Sequence, residues 1–165
     1  MVELLVMRHA KSAWDTGHAD FDRPLSPRGE RAAARMARWI DDNELVPDRV
    51  VSSAAERTRH TALAVVGHCG IDPRSVEYLD ELYHAELGVW LEVLRDQLVD
   101  RVLIVGHNPG LDDLVEYLAA ETPARTSSGK LMTTAAIAHL DFDTVWTEVG
   151  FAGGHLLSLV RPRGL

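Results

Sequence analysis

Residues 4–14 read Leu4-Leu5-Val6-Met7-Arg8-His9-Ala10-Lys11-Ser12-Ala13-Trp14. A short apolar run ends abruptly in two side chains that can carry positive charge. A run this short, with no polar alternation, is the pattern of a strand buried on both faces of a sheet. Arginine and histidine at its carboxyl tip are costly to bury unless something pairs with them. In open α/β sheets, ligands bind in the crevice beyond the carboxyl ends of the strands. The pair therefore suggests an anion site that holds a nucleophile or a base, with an ordinary loop start as the plain alternative.

The flanking sequence extends this pattern. A loop over residues 10–26, rich in Asp, Gly and Pro, closes at Pro24-Leu25-Ser26-Pro27. Ser26 as N-cap and Pro27 at the first helical position start a helix that runs to about Asp42. Arg28, Arg31, Arg35 and Arg38 share one face of it at three- and four-residue steps, which reads as a solvated face. Asp48 to Ser52 is a second strand, and Ser53 is expected to cap a helix through about Gly67. Val76–Leu79 is a short strand. Glu86–Leu98 is helical, with Leu87, Trp90, Leu91 and Leu94 at helical spacing. Val102–Val105 is a third apolar run, and a helix follows from Pro109 to about Ala119. Residues 121–130 are a loop. Ala135–Leu140 and Val145–Val149 read as strands, with a hairpin across Asp141–Thr144, and Leu156–Val160 as one more. Strands alternating with helices imply an α/β fold. The expected form is a three-layer α/β/α sandwich whose central sheet is mostly parallel with an antiparallel edge.

Composition narrows the function classes. The chain has 165 residues, 46% hydrophobic and 25% charged, which suits one globular domain spanning residues 1–165. Its formal net charge of −8 argues against a general nucleic-acid binder. No apolar stretch reaches membrane-spanning length and no signal peptide is read at the N-terminus. The lone cysteine, Cys69, permits no internal disulfide, which fits a reducing, cytoplasmic setting.

Three strand ends now line up. The first delivers Arg8 and His9. The second leads through Ser53 to Arg57, one turn into its helix. The third delivers His107 just before a helix N-terminus. Parallel strands have their carboxyl tips on one sheet edge, so two arginines and two histidines converge on one crevice, with helix N-termini adding unpaired N–H groups. Guanidinium groups match phosphate oxygens bidentately. One histidine can attack phosphorus and the other can stabilise the equatorial oxygens. None of this requires a metal or another cofactor. His18, His139 and His155 show no metal-like grouping. His60 reads as packing, His68 follows the same helix, His84 is placed to line the pocket mouth, and Cys69 reads as structural.

These segments resemble the histidine phosphatase superfamily, which includes phosphoglycerate mutases and acid phosphatases. Its Arg-His-Gly signature is matched by Arg8-His9-Ala10, with alanine as tolerated in SixA-like phosphohistidine phosphatases. Ser53, Arg57 and Thr61 match Ser-x-x-x-Arg-x-x-x-Thr. Pro24 to Gly29 matches Pro-Leu-Thr-x-x-Gly, and Gly106-His107-Asn108-Pro109 matches the segment of the second histidine. The resemblance implies that His9 is the nucleophile of a phosphohistidine intermediate, and that Arg8, Arg57 and His107 hold the phosphoryl oxygens. Glu81 falls where larger members carry a proton donor, with a surface carboxylate as the alternative. Ser12, Arg23 and Asn108 complete the candidate substrate-binding set, Arg23 having a plain surface arginine as its alternative. Ser12 and Trp14 match a continuation seen in mutases, but Asp15 stands where those have Asn.

The loops that roof the pocket in mutases and sugar bisphosphatases are short here, so no cap insertion is expected. An open pocket suits a phosphorylated protein side chain. A departing imidazole, with a pKa near ~6.5, needs less acid help than an alkoxide. The expected function is therefore a SixA-like protein phosphohistidine phosphatase, with no nucleic-acid or membrane partner and able to act as a monomer. A small-molecule phosphomonoesterase is the alternative. A non-catalytic binder of phosphorylated partners is the alternative of a different class, and it would have lost a histidine that this chain keeps.

Overall fold

A computed structural model describes residues 1–14 and 16–165 of the chain. Asp15, singled out above, lies outside the described residues. Along the chain run β1 (Val2–Arg8), α1 (Pro27–Asp42), β2 (Arg49–Ser53), α2 (Glu56–Cys69), β3 (Glu77–Leu79), α3 (Leu87–Arg95), β4 (Arg101–Gly106), α4 (Gly110–Leu118), β5 (Ile137–Phe142) and β6 (Gly154–Val160), with short 3-10 turns between them. The six strands form one sheet in the order β3-β2-β4-β1-β5-β6. Neighbours among β3, β2, β4 and β1 are parallel, whereas β5 is antiparallel to both β1 and β6. The expected parallel sheet with an antiparallel edge is what the chain forms.

The alternation of β1 assigns the layers. Leu4 and Val6 face a core shared with Trp90, Leu91 and Leu94 of α3 and Leu111, Leu114 and Leu118 of α4. Leu5 and Met7 face the opposite core, with Ala33, Met36 and Ile40 of α1 and Val65 and Val66 of α2. Leu4 to Met7 are fully buried, as a strand covered on both faces must be. Ser26 caps α1 as expected, its Oγ accepting the Gly29 N–H at 3.0 Å. The four arginines of α1 are exposed.

Three local expectations need correction. Ala55, not Ser53, is the N-cap of α2. Ser53 stays in β2 because its hydroxyl is engaged elsewhere, accepting the Ala55 N–H at 3.3 Å and meeting His107. The helix at 86–98 stops at Arg95, which leaves Leu98 fully in solvent. Val145–Val149 is not a strand. Trp146 turns inward and its indole N–H donates to the Val99 carbonyl at 2.6 Å. A 3-10 turn over Trp146–Glu148 results, and β6 rather than this segment pairs with β5.

Candidate active site

Register brings the two histidines together. Arg8 of β1 lies opposite Gly106 of β4, and the His9 N–H extends that ladder to the Gly106 carbonyl at 3.1 Å. His9 and His107 therefore leave adjacent parallel strands at one level, and their ring centroids are 5.3 Å apart. Gly106 is needed at this point: a Cβ there would sit 2.4 Å from the ring of Trp90. On the other side of β4, Ser52 pairs with Val105. Ser53 thus stands beside His107, and its Oγ meets His107 Nε2 at 2.8 Å.

The three residues of the second segment each have a separate task. Ser53 holds the ring of His107. Arg57, in the first turn of α2, reaches the same crevice with its side chain 3% exposed. Thr61 donates to the Arg57 carbonyl at 2.7 Å and accepts the Ala10 N–H at 3.0 Å, which fastens the end of β1 to α2.

His9 Nδ1 lies 2.7 Å from the Ala10 carbonyl oxygen. A carbonyl can only accept, so Nδ1 carries the proton and Nε2 keeps its lone pair. Burial, reinforced by Arg8, Arg57 and Arg23, lowers the His9 pKa to about 3 although its bond to Ala10 opposes the shift, so the ring is neutral at ordinary pH. His107 is held still lower, by burial first and then by His9 and Arg57.

A cavity of about 240 Å³ is lined by Arg8, His9, Arg57, His84, His107 and Asn108, among others. Of the residues singled out in the sequence, Ser12 and Arg23 also line it. Arg23 is not a surface arginine: it is 9% exposed, donates to Ser12 Oγ at 2.6 Å and stacks 3.9 Å over the Trp14 ring. Asn108 spends its amide on the backbone, donating to the Met132 carbonyl at 2.9 Å and accepting the Asp112 N–H at 3.2 Å. Glu81 is exposed on the turn Asp80–Leu82 and does not line the cavity. In that turn Leu82 is the residue driven into the core, and Tyr83 and His84 follow it toward the histidines, 5.4 and 5.0 Å from the His107 ring.

Asp20 and Tyr83 were not apparent in the sequence. Asp20 lies in a 3-10 turn of the long loop. It accepts from the Tyr83 hydroxyl, from Arg23 at 2.9 Å and from Arg57 at 3.1 Å, and lies 3.5 Å from His84 Nε2. The Tyr83 hydroxyl and then the two guanidinium groups keep its carboxyl well below the usual carboxylate range. A polar loop residue three positions before Arg23 is too common a pattern to have signalled this.

The other histidines divide. His84 does line the pocket, as expected. His60 is half-exposed and paired with Glu56 at 2.6 Å, so it does not pack in the core as read above. Burial pushes the Cys69 thiol up to about 11, as suits an unreactive side chain. Among the described residues no group of three or more His, Cys, Asp or Glu could hold a metal ion, and no helix is long and apolar enough to cross a membrane.

Comparison with known proteins places this geometry. The family model of the histidine phosphatase superfamily (branch 1) matches residues 4–97. Phosphohistidine phosphatase SixA of Escherichia coli is 34% identical over 147 residues, which cover 86% of each chain. An uncharacterized protein of Mycobacterium tuberculosis is 36% identical over 95% of this chain and its own whole length. The protein histidine phosphatase SixA solved as a tungstate complex superposes with a TM-score of 0.81 at 28% identity, covering 99% of both chains. With Arg8, His9, Arg57 and His107 gathered at one sheet edge, the chain belongs to the histidine phosphatase superfamily, in its SixA-like branch, and is a phosphatase.

Proposed function

We propose that residues 1–165 form one histidine phosphatase domain without a cap insertion, which removes phosphate from protein phosphohistidine through an intermediate on its own His9. The observation that carries this reading is the bond from His9 Nδ1 to the Ala10 carbonyl, which leaves a neutral Nε2 as a nucleophile beside two guanidinium groups. Arg8, Arg57 and His107 line the cavity with His9, and guanidinium and imidazole groups there suit the three oxygens of a phosphoryl group. In the first step Nε2 of His9 bonds to phosphorus as the bond to the leaving nitrogen breaks. In the second, water displaces His9 and inorganic phosphate is released.

The acid equipment supports an imidazole as leaving group. Asp20 is held ionised and Glu81 stands outside the cavity, so among the described residues no neutral carboxyl group lines it. His84, paired with Asp20 at the mouth, is the group positioned to pass it a proton. Imidazole, with a solution pKa of roughly 6.5, needs little more than that. The name of the E. coli relative agrees with this choice.

The test is to offer a phosphohistidine peptide, a phosphoserine peptide and p-nitrophenyl phosphate to the protein and to His9→Ala, with a chelator present. The expected result is fastest turnover of the phosphohistidine peptide, lost in the variant, and a phosphoenzyme that is acid-labile and base-stable. Full activity of His9→Ala would sink the nucleophile assignment. Turnover of the phosphomonoesters without the phosphohistidine peptide would move the protein to the small-molecule phosphomonoesterases. Binding of all three without turnover would make it a phospho-partner binding domain.

A further inference from the structure

A second cavity, about 590 Å³, adjoins the catalytic one and shares Arg8, Lys11 and Thr134 with it. Its wall is assembled from four separate stretches: the exit of β1, the start of α1, residues 126–134 and the segment after β6. Those stretches contribute the cations Lys11, Arg28, Lys130, Arg161 and Arg163 beyond Arg8, and no Asp or Glu lines the cavity. In a chain with a net charge of −8, this is a strong local reversal of sign. Among the described residues none of these cations is paired with a carboxylate, whereas Arg49, Arg74, Arg101 and Arg125 elsewhere each are. Arg161 is held in place by bonds from Nε to the Leu131 carbonyl at 3.1 Å and from Nη2 to the Ala124 carbonyl at 2.9 Å, which leave its charge uncompensated.

We propose that this groove binds an acidic polypeptide segment of the phosphorylated substrate, flanking the residue whose phosphate enters the catalytic pocket. The proposal rests on the phosphatase reading above and names its substrate class. The volume exceeds what one phosphate needs, since the catalytic cavity is less than half as large. The lining carries threonine and serine hydroxyls between the cations, which suits carboxylates and peptide groups along an extended chain. It has no aromatic side chain on which a base could stack, so a nucleotide or nucleic acid finds charge there but no platform. Positive charge beside an active site raises the encounter rate and affinity of an anionic partner, and salt screens the effect.

Two measurements test it. In the first, the probe is a fluorescein-labelled peptide of alternating Glu and Gly without phosphate, whose binding is followed by anisotropy and needs no catalysis. The triple variant Arg28→Glu/Lys130→Glu/Arg163→Glu changes exposed side chains outside the catalytic wall. It is expected to weaken binding about tenfold or more, which is about 1.4 kcal/mol, and to abolish most of the salt dependence. In the second, phosphohistidine peptides with acidic or amidated flanks are compared with p-nitrophenyl phosphate. The triple variant is expected to raise KM for the acidic peptide alone and leave p-nitrophenyl phosphate unchanged. Equal binding by the wild-type and triple-variant proteins would overturn the proposal, as would a wild-type enzyme indifferent to acidic flanks. A thymidine oligomer bound as tightly and weakened by the same substitutions would overturn the peptide assignment. If acidic-peptide binding responds as expected while no phosphate ester is turned over, the groove stands and the phosphatase reading is what has failed.

Discussion

His84 holds a left-handed backbone, with φ of 53°, and its ring lies 4.2 Å from that of Tyr83. A non-glycine residue in that region costs on the order of 1 kcal/mol or more, so the surrounding contacts must hold it there. What the strain secures is position: a half-exposed imidazole between Asp20 and the pocket. If His84 passes the leaving group its proton, its removal should matter most for strongly basic, and therefore poor, leaving groups. Across aryl phosphates of rising phenol pKa, the rate of His84→Gln is expected to fall more steeply than that of the unaltered protein. The gap should reach about tenfold or more at the poorest leaving group and close at p-nitrophenol. An equal loss across the series would make His84 a structural residue of the mouth.

At the scale of elements, the exit of β1 and the start of α1 meet with almost no space between them. The Lys11 carbonyl accepts from the Ser26 N–H at 2.9 Å and from its hydroxyl at 3.2 Å, and a Cβ on Gly29 would stand 1.9 Å from that same oxygen. Gly29→Ala is expected to lower stability by roughly 1–3 kcal/mol, the range for overpacking, read as a lower urea midpoint. Because Lys11 lines both cavities, activity should fall with it; an unchanged midpoint would show that the loop shifts freely. This junction also explains what the sequence could tell. Apolar runs, the Ser26-Pro27 cap and glycines at forced close approaches are local signals, so β1, α1, β4 and the order of the motifs were all legible. Once the sheet was read as parallel, Arg8, His9, Arg57 and His107 could be assigned to one edge. Asp20, Tyr83 and the seating of Glu81 depend on how a polar loop and a 3-10 turn fold back over that edge. An ion pair made across 37 residues and a hydrogen bond made across 63 leave no periodic trace. Trp146 misled for the same reason: its β-like neighbourhood gave no sign that its indole N–H would be claimed by Val99.

For the whole molecule, the site is an acid-sensitive element of the fold. His9 and His107 are buried neutral, whereas in the unfolded chain each would titrate near ~6.5. Below that pH the unfolded state takes up protons that the folded site refuses until about 3 for His9 and lower for His107. Stability therefore falls as pH drops from about 6.5, by up to about 1.4 kcal/mol per pH unit for each group. Asp20 acts in the same direction but later: its depressed pKa stabilises the fold above the normal carboxylate value, and that contribution is lost only as pH falls below about 4. Between about pH 6 and pH 4.5 the histidines should dominate. The urea midpoint of the unaltered protein is expected to fall steadily across that window, and that of His9→Asn/His107→Asn to fall much less. Inorganic phosphate should flatten the slope as well, because an anion beside the rings offsets the arginines and lets them accept protons in the folded state. Phosphate binding would then take up protons, measurable by calorimetry in two buffers of different ionisation heat. Parallel slopes for the two proteins, with no proton uptake, would mean that the rings are solvated and that the site is not the dry, cationic pocket that the proposed nucleophilic role of His9 needs.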